Sequence, residues 1–287
     1  MLLEQPDRRS TSSPSDGPGD RVDGSVVVDA MTVLRGLVHR QLGLAFGGDQ
    51  AHHFVTRVTA FCGQEGLVVD ELVQKLGRDK GLLQRLADAL STPHTCFWRE
   101  PEAFAALHQQ MLPAFRHEPE VRLWSAASAA GDEAYSMAMV ARECFGDEGP
   151  VVRILGTDLS AQQVALAERG VVPASRLGEL DAGRRARWLL AQADGRFRVA
   201  PELQARCAFR RMNLTAFPWP FERGFHVIFL RNVLYYFDDV TVAAVLEAAH
   251  QALVPGGFLV TSVTEPLSRA PSGFRRVGPA IYRQVQG

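Results

Sequence analysis

The sequence predicts an α/β protein built on a mostly parallel sheet covered by helices, with a small antiparallel β insert and a small all-helical part in front. Three observations predict it. Up to Leu90 the apolar residues recur only at helical spacing. From Glu120 onward short apolar runs alternate with helical stretches, the rhythm of strands joined by crossover helices. Between Val171 and Asn213 that alternation breaks, which puts the insert at about residues 172–212.

Taken in order, residues 1–24 are rich in Ser, Pro, Gly and Asp, have little to bury, and are expected to form a disordered tail. Met31, Leu34, Leu37, Val38 and Leu42 then share one helical face, and Phe54, Val55, Val58 and Phe61 another. With further stripes at 72–76 and 82–90, residues 25–92 read as a helical domain of about four helices. A connector, 91–99, leads into a helical stretch over 101–115 and opens a second domain spanning 93–287. Its expected strands are 121–126, 151–155, 226–230 and 258–263, alternating with helices over 132–144, 161–169 and 240–254. Inside the insert, 196–199 and 207–211 read as short antiparallel strands. Sheets of this kind bind ligands at the carboxyl ends of their strands, so the strand ends are where chemistry is sought.

Bulk properties exclude several classes. A net charge of −1 gives no overall field to attract nucleic acid or an anionic membrane. Cys62, Cys96, Cys144 and Cys207 are scattered without a C-x-x-C pair, so neither a metal site nor a disulfide framework is expected. The polar start, with Asp7, Arg8 and Arg9, lacks a signal peptide's apolar core, and no apolar run reaches membrane-spanning length. A cytoplasmic monomer is the expectation. Charge is uneven locally: 25–92 holds seven basic and seven acidic residues, whereas 168–211 holds ten Arg against five acidic residues. That surplus is either a docking surface or a solvated face.

Four segments carry candidate chemistry. The first strand runs into Ser125-Ala126-Ala127-Ser128-Ala129-Ala130-Gly131 before Asp132-Glu133, and such small residues either pack tightly or let a ligand approach the backbone and a helix N-terminus. The run is not the G-x-G-x-x-G dinucleotide fingerprint. The second strand leads to Gly156-Thr157-Asp158, where Asp158 suits the two ribose hydroxyls of a nucleoside or caps the helix that follows. A strand then runs into Arg231-Asn232 and the pair Tyr235-Tyr236. A buried Arg231 needs an anion or a carbonyl, and the alternative to a ligand is a structural ion pair holding two loops. Upstream, Thr95-Cys96-Phe97-Trp98-Arg99-Glu100 puts aromatic rings beside a cation, lining a pocket or knotting two domains together.

Together these segments resemble the CheR chemotaxis-receptor methyltransferases. Thr95-Cys96-Phe97-Trp98-Arg99-Glu100 resembles that family's T-x-F-F-R-E, and the stretch from Trp124 to Ser136 its W-S-A-A-x-S-x-G-E-E-P-Y-S. Gly156-Thr157-Asp158-Leu159-Ser160 is similar to A-T-D-I-S. Arg231-Asn232-Val233-Leu234-Tyr235-Tyr236-Phe237-Asp238 is similar to R-N-V-x-I-Y-F-D, with Pro255-Gly256-Gly257 following. Order and approximate spacing hold across about residues 31–282.

The resemblance implies a Rossmann-like class I methyltransferase domain dependent on S-adenosylmethionine, with S-adenosylhomocysteine as product, behind a substrate-side helical domain. It implies a cofactor held by Thr95, Arg99, Glu133, Asp158, Asn213, Leu214, Arg231 and Asn232. The implied acceptors are glutamates on the cytoplasmic domains of methyl-accepting chemotaxis-type receptors. Arg99 is expected to orient the acceptor carboxylate and Tyr236 to line the methyl-transfer centre. An ionised glutamate is itself a nucleophile near neutral pH and needs no general base. Departures are Pro93 in place of the family's Asn, Gly170-Val171-Val172-Pro173 without a tyrosine, and Ser262-Val263-Thr264-Glu265-Pro266 where a Ser-Glu-Asn ending is usual. Two other readings remain: a methyltransferase for a different acceptor, and a non-catalytic adaptor that binds the cofactor.

Overall fold

The computed structural model describes residues 24–47, 50–91, 95–265, 267 and 270–285. The expected tail, Gly24 apart, lies outside the described residues, as do Pro93 and Pro266. Four helices come first: α1 (Gly24–Leu42), α2 (Gln50–Glu65), α3 (Val69–Leu76) and α4 (Lys80–Leu90). They close on a shared core of Leu34, Val38, Phe54, Val58, Leu72 and Leu86. On α2 the buried stripe is Phe54, Val58, Phe61 and Cys62, while Val55, expected on that face, is 43% exposed. One residue along a helix is a turn of about 100°, enough to carry Val55 out of the stripe. Asp79 starts α4 by accepting the Leu82 amide at 2.9 Å, an N-cap that satisfies one of the orphan donors.

After α5 (Pro101–Ala106) and two irregular turns ending at Phe115, the chain enters the sheet. Its course is β1 (Glu120–Ala126), α6 (Asp132–Phe145), β2 (Val151–Asp158), α7 (Ala161–Arg169) and β3 (Val171–Val172). Then come α8 (Ala182–Trp188), β4 (Leu189–Ala191), β5 (Phe197–Val199), α9 (Pro201–Gln204) and β6 (Cys207–Arg211). The chain finishes with β7 (Phe225–Leu230), α10 (Asp239–Gln251), β8 (Leu253–Val260), β9 (Phe274–Gly278) and β10 (Ile281–Gln284). The seven-stranded sheet has the order β6-β2-β1-β7-β8-β10-β9. Its first five strands are parallel and β10 is antiparallel to both neighbours. All six residues of β7 are buried, as a central strand covered on both faces requires. Strand order reverses at β1, so the crevice beyond the ends of β1 and β7 is where this topology holds a ligand.

Several expectations need correction. The strand at 207–211 is not part of the antiparallel insert: β6 pairs parallel with β2, from Ile154 opposite Cys207 to Asp158 opposite Arg211. The insert sheet is smaller, with β5 between β3 and β4, and it begins one residue early at Val171. The helix expected over 240–254 ends at Gln251, and Leu253 already belongs to β8. Pro255 offers no amide and Gly256 sits at φ +74°, so this apolar segment enters the sheet through an irregular register rather than extending a helix. The second strand runs three residues past its expected end, to Asp158.

The helical part lies against the carboxyl edge of the sheet. Ala45 N–H donates to the Tyr236 carbonyl (2.6 Å) and Asn213 Nδ2 to the Gln41 carbonyl (3.3 Å). Gln84 Nε2 reaches the Leu159 carbonyl (3.3 Å), and His39 pairs with Asp238 (2.8 Å), the residue that caps α10. Gly43, at φ +74°, lets the chain turn against Thr215, whose Cγ2 would lie 2.2 Å from any added Cβ.

Gly156 makes a comparable close approach within β2. A Cβ there would fall 2.5 Å from the Phe209 ring on the neighbouring strand and 2.9 Å from Ser128 Oγ. Gly156→Ala is therefore expected to lower stability by about 1–3 kcal/mol through overpacking. Urea unfolding checks this, and an unchanged midpoint would mean that the ring moves aside at no cost.

Candidate active site

The loop after β1 is shaped by three left-handed residues within five positions: Ala127 (φ +65°), Ala129 (φ +46°) and Gly131 (φ +88°). A left-handed alanine costs on the order of 1–2 kcal/mol, so this backbone course is imposed by its surroundings. One surrounding group is Asp158 at the end of β2, whose Oδ2 accepts the Ala129 amide (2.9 Å) while Oδ1 accepts the Ser160 amide (2.9 Å). Asp158 does not cap α7; Ser160 does, accepting the Gln163 amide at 3.1 Å. Burial pushes the Asp158 carboxyl above its ordinary range, against the pull of the two amides.

Arg231, at the end of β7, is 3% exposed and sits in an ion-pair cluster. Its Nη1 meets Glu133 Oε2 at 2.8 Å, and its Nη2 meets Glu100 Oε2 at 3.2 Å and the Arg99 carbonyl at 2.6 Å. Ser125 Oγ donates to the other oxygen of Glu133 at 2.7 Å. Arg231 thus makes an ion pair that ties together the loop at 99–100, the start of α6 and the ends of β1 and β7, and it also lines the cleft described below. Burial raises Glu133 despite Arg231 and Ser125. For Glu100 burial also pushes upward, but the Ser262 hydroxyl, Arg231 and Asn232 outweigh it and hold this carboxyl below the usual range.

Asn232 (φ +55°) sends its Nδ2 to Glu100 Oε1 (3.1 Å) and Ser262 Oγ (2.9 Å). Its amide donates to Glu265 Oε2 at 2.6 Å, and the Tyr235 amide donates to Glu265 Oε1 at 3.1 Å. Glu265 thus pins both ends of the turn carrying the tyrosines. Sequence reasoning noted that segment only as a departure, and its one signal was an acid between a strand end and a proline. The Tyr235 and Tyr236 rings lie 4.3 Å apart at 47°. Asn213 Oδ1 accepts the amide and hydroxyl of Thr215, each at 2.9 Å, and Leu214 is buried beside it.

All nine expected residues, Thr95, Arg99, Glu133, Asp158, Asn213, Leu214, Arg231, Asn232 and Tyr236, line one cleft. The space between these residues is about 1060 Å³ when the open solvent at the mouth is included. The expected list omitted a wall of Leu42, Leu44 and Leu90 from the helical part, together with Met212 and Tyr235. Among the described residues no group of three or more His, Cys, Asp or Glu side chains gathers as a metal site. No helix among them is long and apolar enough to cross a membrane.

Residues 93–282 match the family model of the SAM-binding domain of CheR methyltransferases. The chain belongs to that family. The match spans the cleft's strand ends and the insert, so S-adenosylmethionine is the cofactor of this CheR methyltransferase. The cleft fits it: a pocket-lining carboxylate stands at the end of β2, and methyl-sized side chains line the loop after β1. Chemotaxis protein methyltransferase 2 of Pseudomonas aeruginosa is 34% identical over 74% of this chain and 77% of its own length. Chemotaxis protein methyltransferase 1 of the same organism is 29% identical over 85% and 93%. The chemotaxis protein methyltransferase of Borreliella burgdorferi is 27% identical over 91% and 95%.

Beside Glu133, the wholly buried Asp132 faces Arg176 Nε at 3.7 Å and the Thr95 hydroxyl. Burial pushes its carboxyl up to about 7, from an ordinary 3.8. The folded state thus keeps a proton that the unfolded chain releases, and stability contributed below the unfolded pKa is lost as pH rises through about 7. Asp132→Asn has no charge to bury, so its melting temperature relative to the parent should rise between about pH 5 and about pH 8. A difference that stays flat over that interval would mean that Asp132 does not titrate there.

Proposed function

We propose that this CheR methyltransferase esterifies glutamate side chains on the cytoplasmic domains of chemotaxis-type receptors, acting in the cytoplasm as a monomer. The observation that carries the acceptor class is what lines the cleft. Among the described residues it contains Arg99, Tyr235 and Tyr236 as donors, and no His or Lys. Its carboxylates are occupied: Glu133 by Arg231 and Ser125, Asp158 by two amides. Burial raises the Cys96 thiol, keeping it protonated. An amine or alcohol acceptor would need a base to remove its proton, whereas a carboxylate arrives as the nucleophile. The names of the relatives, all chemotaxis protein methyltransferases, support the receptor as the carrier of that carboxylate.

When bound, S-adenosylmethionine supplies a methyl group on a sulfonium: a C–O bond to the carboxylate forms as the C–S bond breaks, and both charges vanish in ester and thioether. The chain's own residues supply alignment. Asp158 receives the ribose hydroxyls on the lone pairs that its two amide bonds leave. Thr95, Glu133, Asn213, Leu214, Arg231 and Asn232 surround the remainder, with Glu133 and Arg231 compensating each other's charge. Arg99 orients the acceptor carboxylate, and Tyr236 lines the point of transfer. Holding the two reactants in line, away from water, is the main contribution such a site makes to rate.

Methyl-labelled cofactor, the purified protein and receptor cytoplasmic fragments should yield label that alkali releases as methanol. Asp158→Ala, which deletes a charged hydrogen-bond acceptor, should weaken S-adenosylhomocysteine binding by about 10- to 100-fold and abolish the label at low cofactor. Alkali-stable label would point to a different acceptor. Tight product binding without any transfer would point to an adaptor.

A further inference from the structure

Tyr235 is the one cleft residue of the tyrosine pair given no role so far. It is 47% exposed, lines the cleft beside Arg99 and Tyr236, and its hydroxyl lies 3.3 Å from the Tyr236 hydroxyl. The backbone of the pair is held from several sides. Glu265 takes the Tyr235 amide, Gln50 Nε2 donates to the Tyr235 carbonyl (3.2 Å), and Ala45 donates to the Tyr236 carbonyl (2.6 Å). The ring origins are therefore fixed, and the freedom left to the pair lies in the direction of its two protons.

A phenol has one proton to give and lone pairs to receive another. The Tyr236 hydroxyl accepts from Tyr235 and, among the described residues, donates to none. We propose that Tyr235 is a positioning residue for methyl transfer: by donating to Tyr236 Oη it turns the Tyr236 proton into the cleft, onto the acceptor carboxylate oxygen that is not methylated. This rests on the glutamate-acceptor reading above. An anion in the cleft draws the Tyr236 proton towards itself, and the chain of dipoles Tyr235 to Tyr236 to carboxylate strengthens each bond in it. The opposite order would aim the Tyr236 proton away from the acceptor and leave the Tyr235 proton to solvent at the more exposed ring. Tyr236 packs against both the sheet core and the helical core, so its hydroxyl cannot seek the acceptor by moving its ring.

The test is a double-mutant cycle of Y235F, Y236F and Y235F/Y236F, in which every variant keeps both rings. Each is measured for affinity towards S-adenosylhomocysteine, for affinity of the receptor cytoplasmic fragment with S-adenosylhomocysteine present, and for kcat. Y235F should keep cofactor-product affinity within about twofold and lose about three- to tenfold in fragment affinity or kcat, as expected for one hydrogen bond. The double variant should be no worse than Y236F alone, because Tyr235 acts through Tyr236. Losses that multiply, or a Y235F enzyme equal to the parent, overturn the inference while leaving the glutamate reading intact. A parent enzyme that transfers no label to the fragment overturns that reading, and the inference with it.

Discussion

The ion-pair cluster at Arg231 is the constraint on which the cleft depends. A guanidinium 3% exposed at the end of a fully buried strand carries a large desolvation penalty, offset only because two carboxylates and a carbonyl meet it. Those partners come from segments distant in sequence, so the pairing draws the Arg99–Glu100 loop and the first turn of α6 onto the ends of β1 and β7. The loop then delivers Thr95 and Arg99 to one wall, and α6 delivers Glu133 to the floor. Removing one member would leave a buried charge uncompensated, which is why the cluster acts as a unit.

Strain is distributed around that unit. Trp98, Glu100, Ala127, Ala129 and Asn232 all have positive φ, and all lie in the three loops that converge on the cleft. Three of them are held by specific contacts: Ala129 by Asp158, Asn232 and Glu100 by each other and by Ser262. The insert joins the same system, since the Phe97 amide donates to the Arg176 carbonyl (2.9 Å) and Arg176 also faces Asp132. The cleft is thus shaped by hydrogen bonds between loops as much as by the sheet that carries them.

Much of this was legible in the sequence, and the limits have physical causes. The alternation of strands and helices, the small-residue loop and Asp158 are local signals, because each depends on residues close together in the chain. The parallel pairing of 207–211 was not legible, since a short strand carries no mark of which distant edge it will join. β9 and β10 were missed because they are short and Arg-bearing, without the apolar alternation that announces a strand. Glu265 escaped because a side chain that satisfies backbone amides leaves no pattern of its own. Leu42 and Leu90 read as helical core, which they are, and nothing in their spacing tells that the same core faces the cleft.

The packing of the helical part against the sheet also sets what can change over evolutionary time. Its inner edge is fixed by backbone: Gly43 turned against Thr215, Ala45 and Gln41 bonded to the loops that carry Tyr236 and Asn213. The charged residues over 25–92 balance to neutrality in this chain. Substitutions away from that inner edge can therefore accumulate, residue by residue, without moving the backbone at the tyrosine turn.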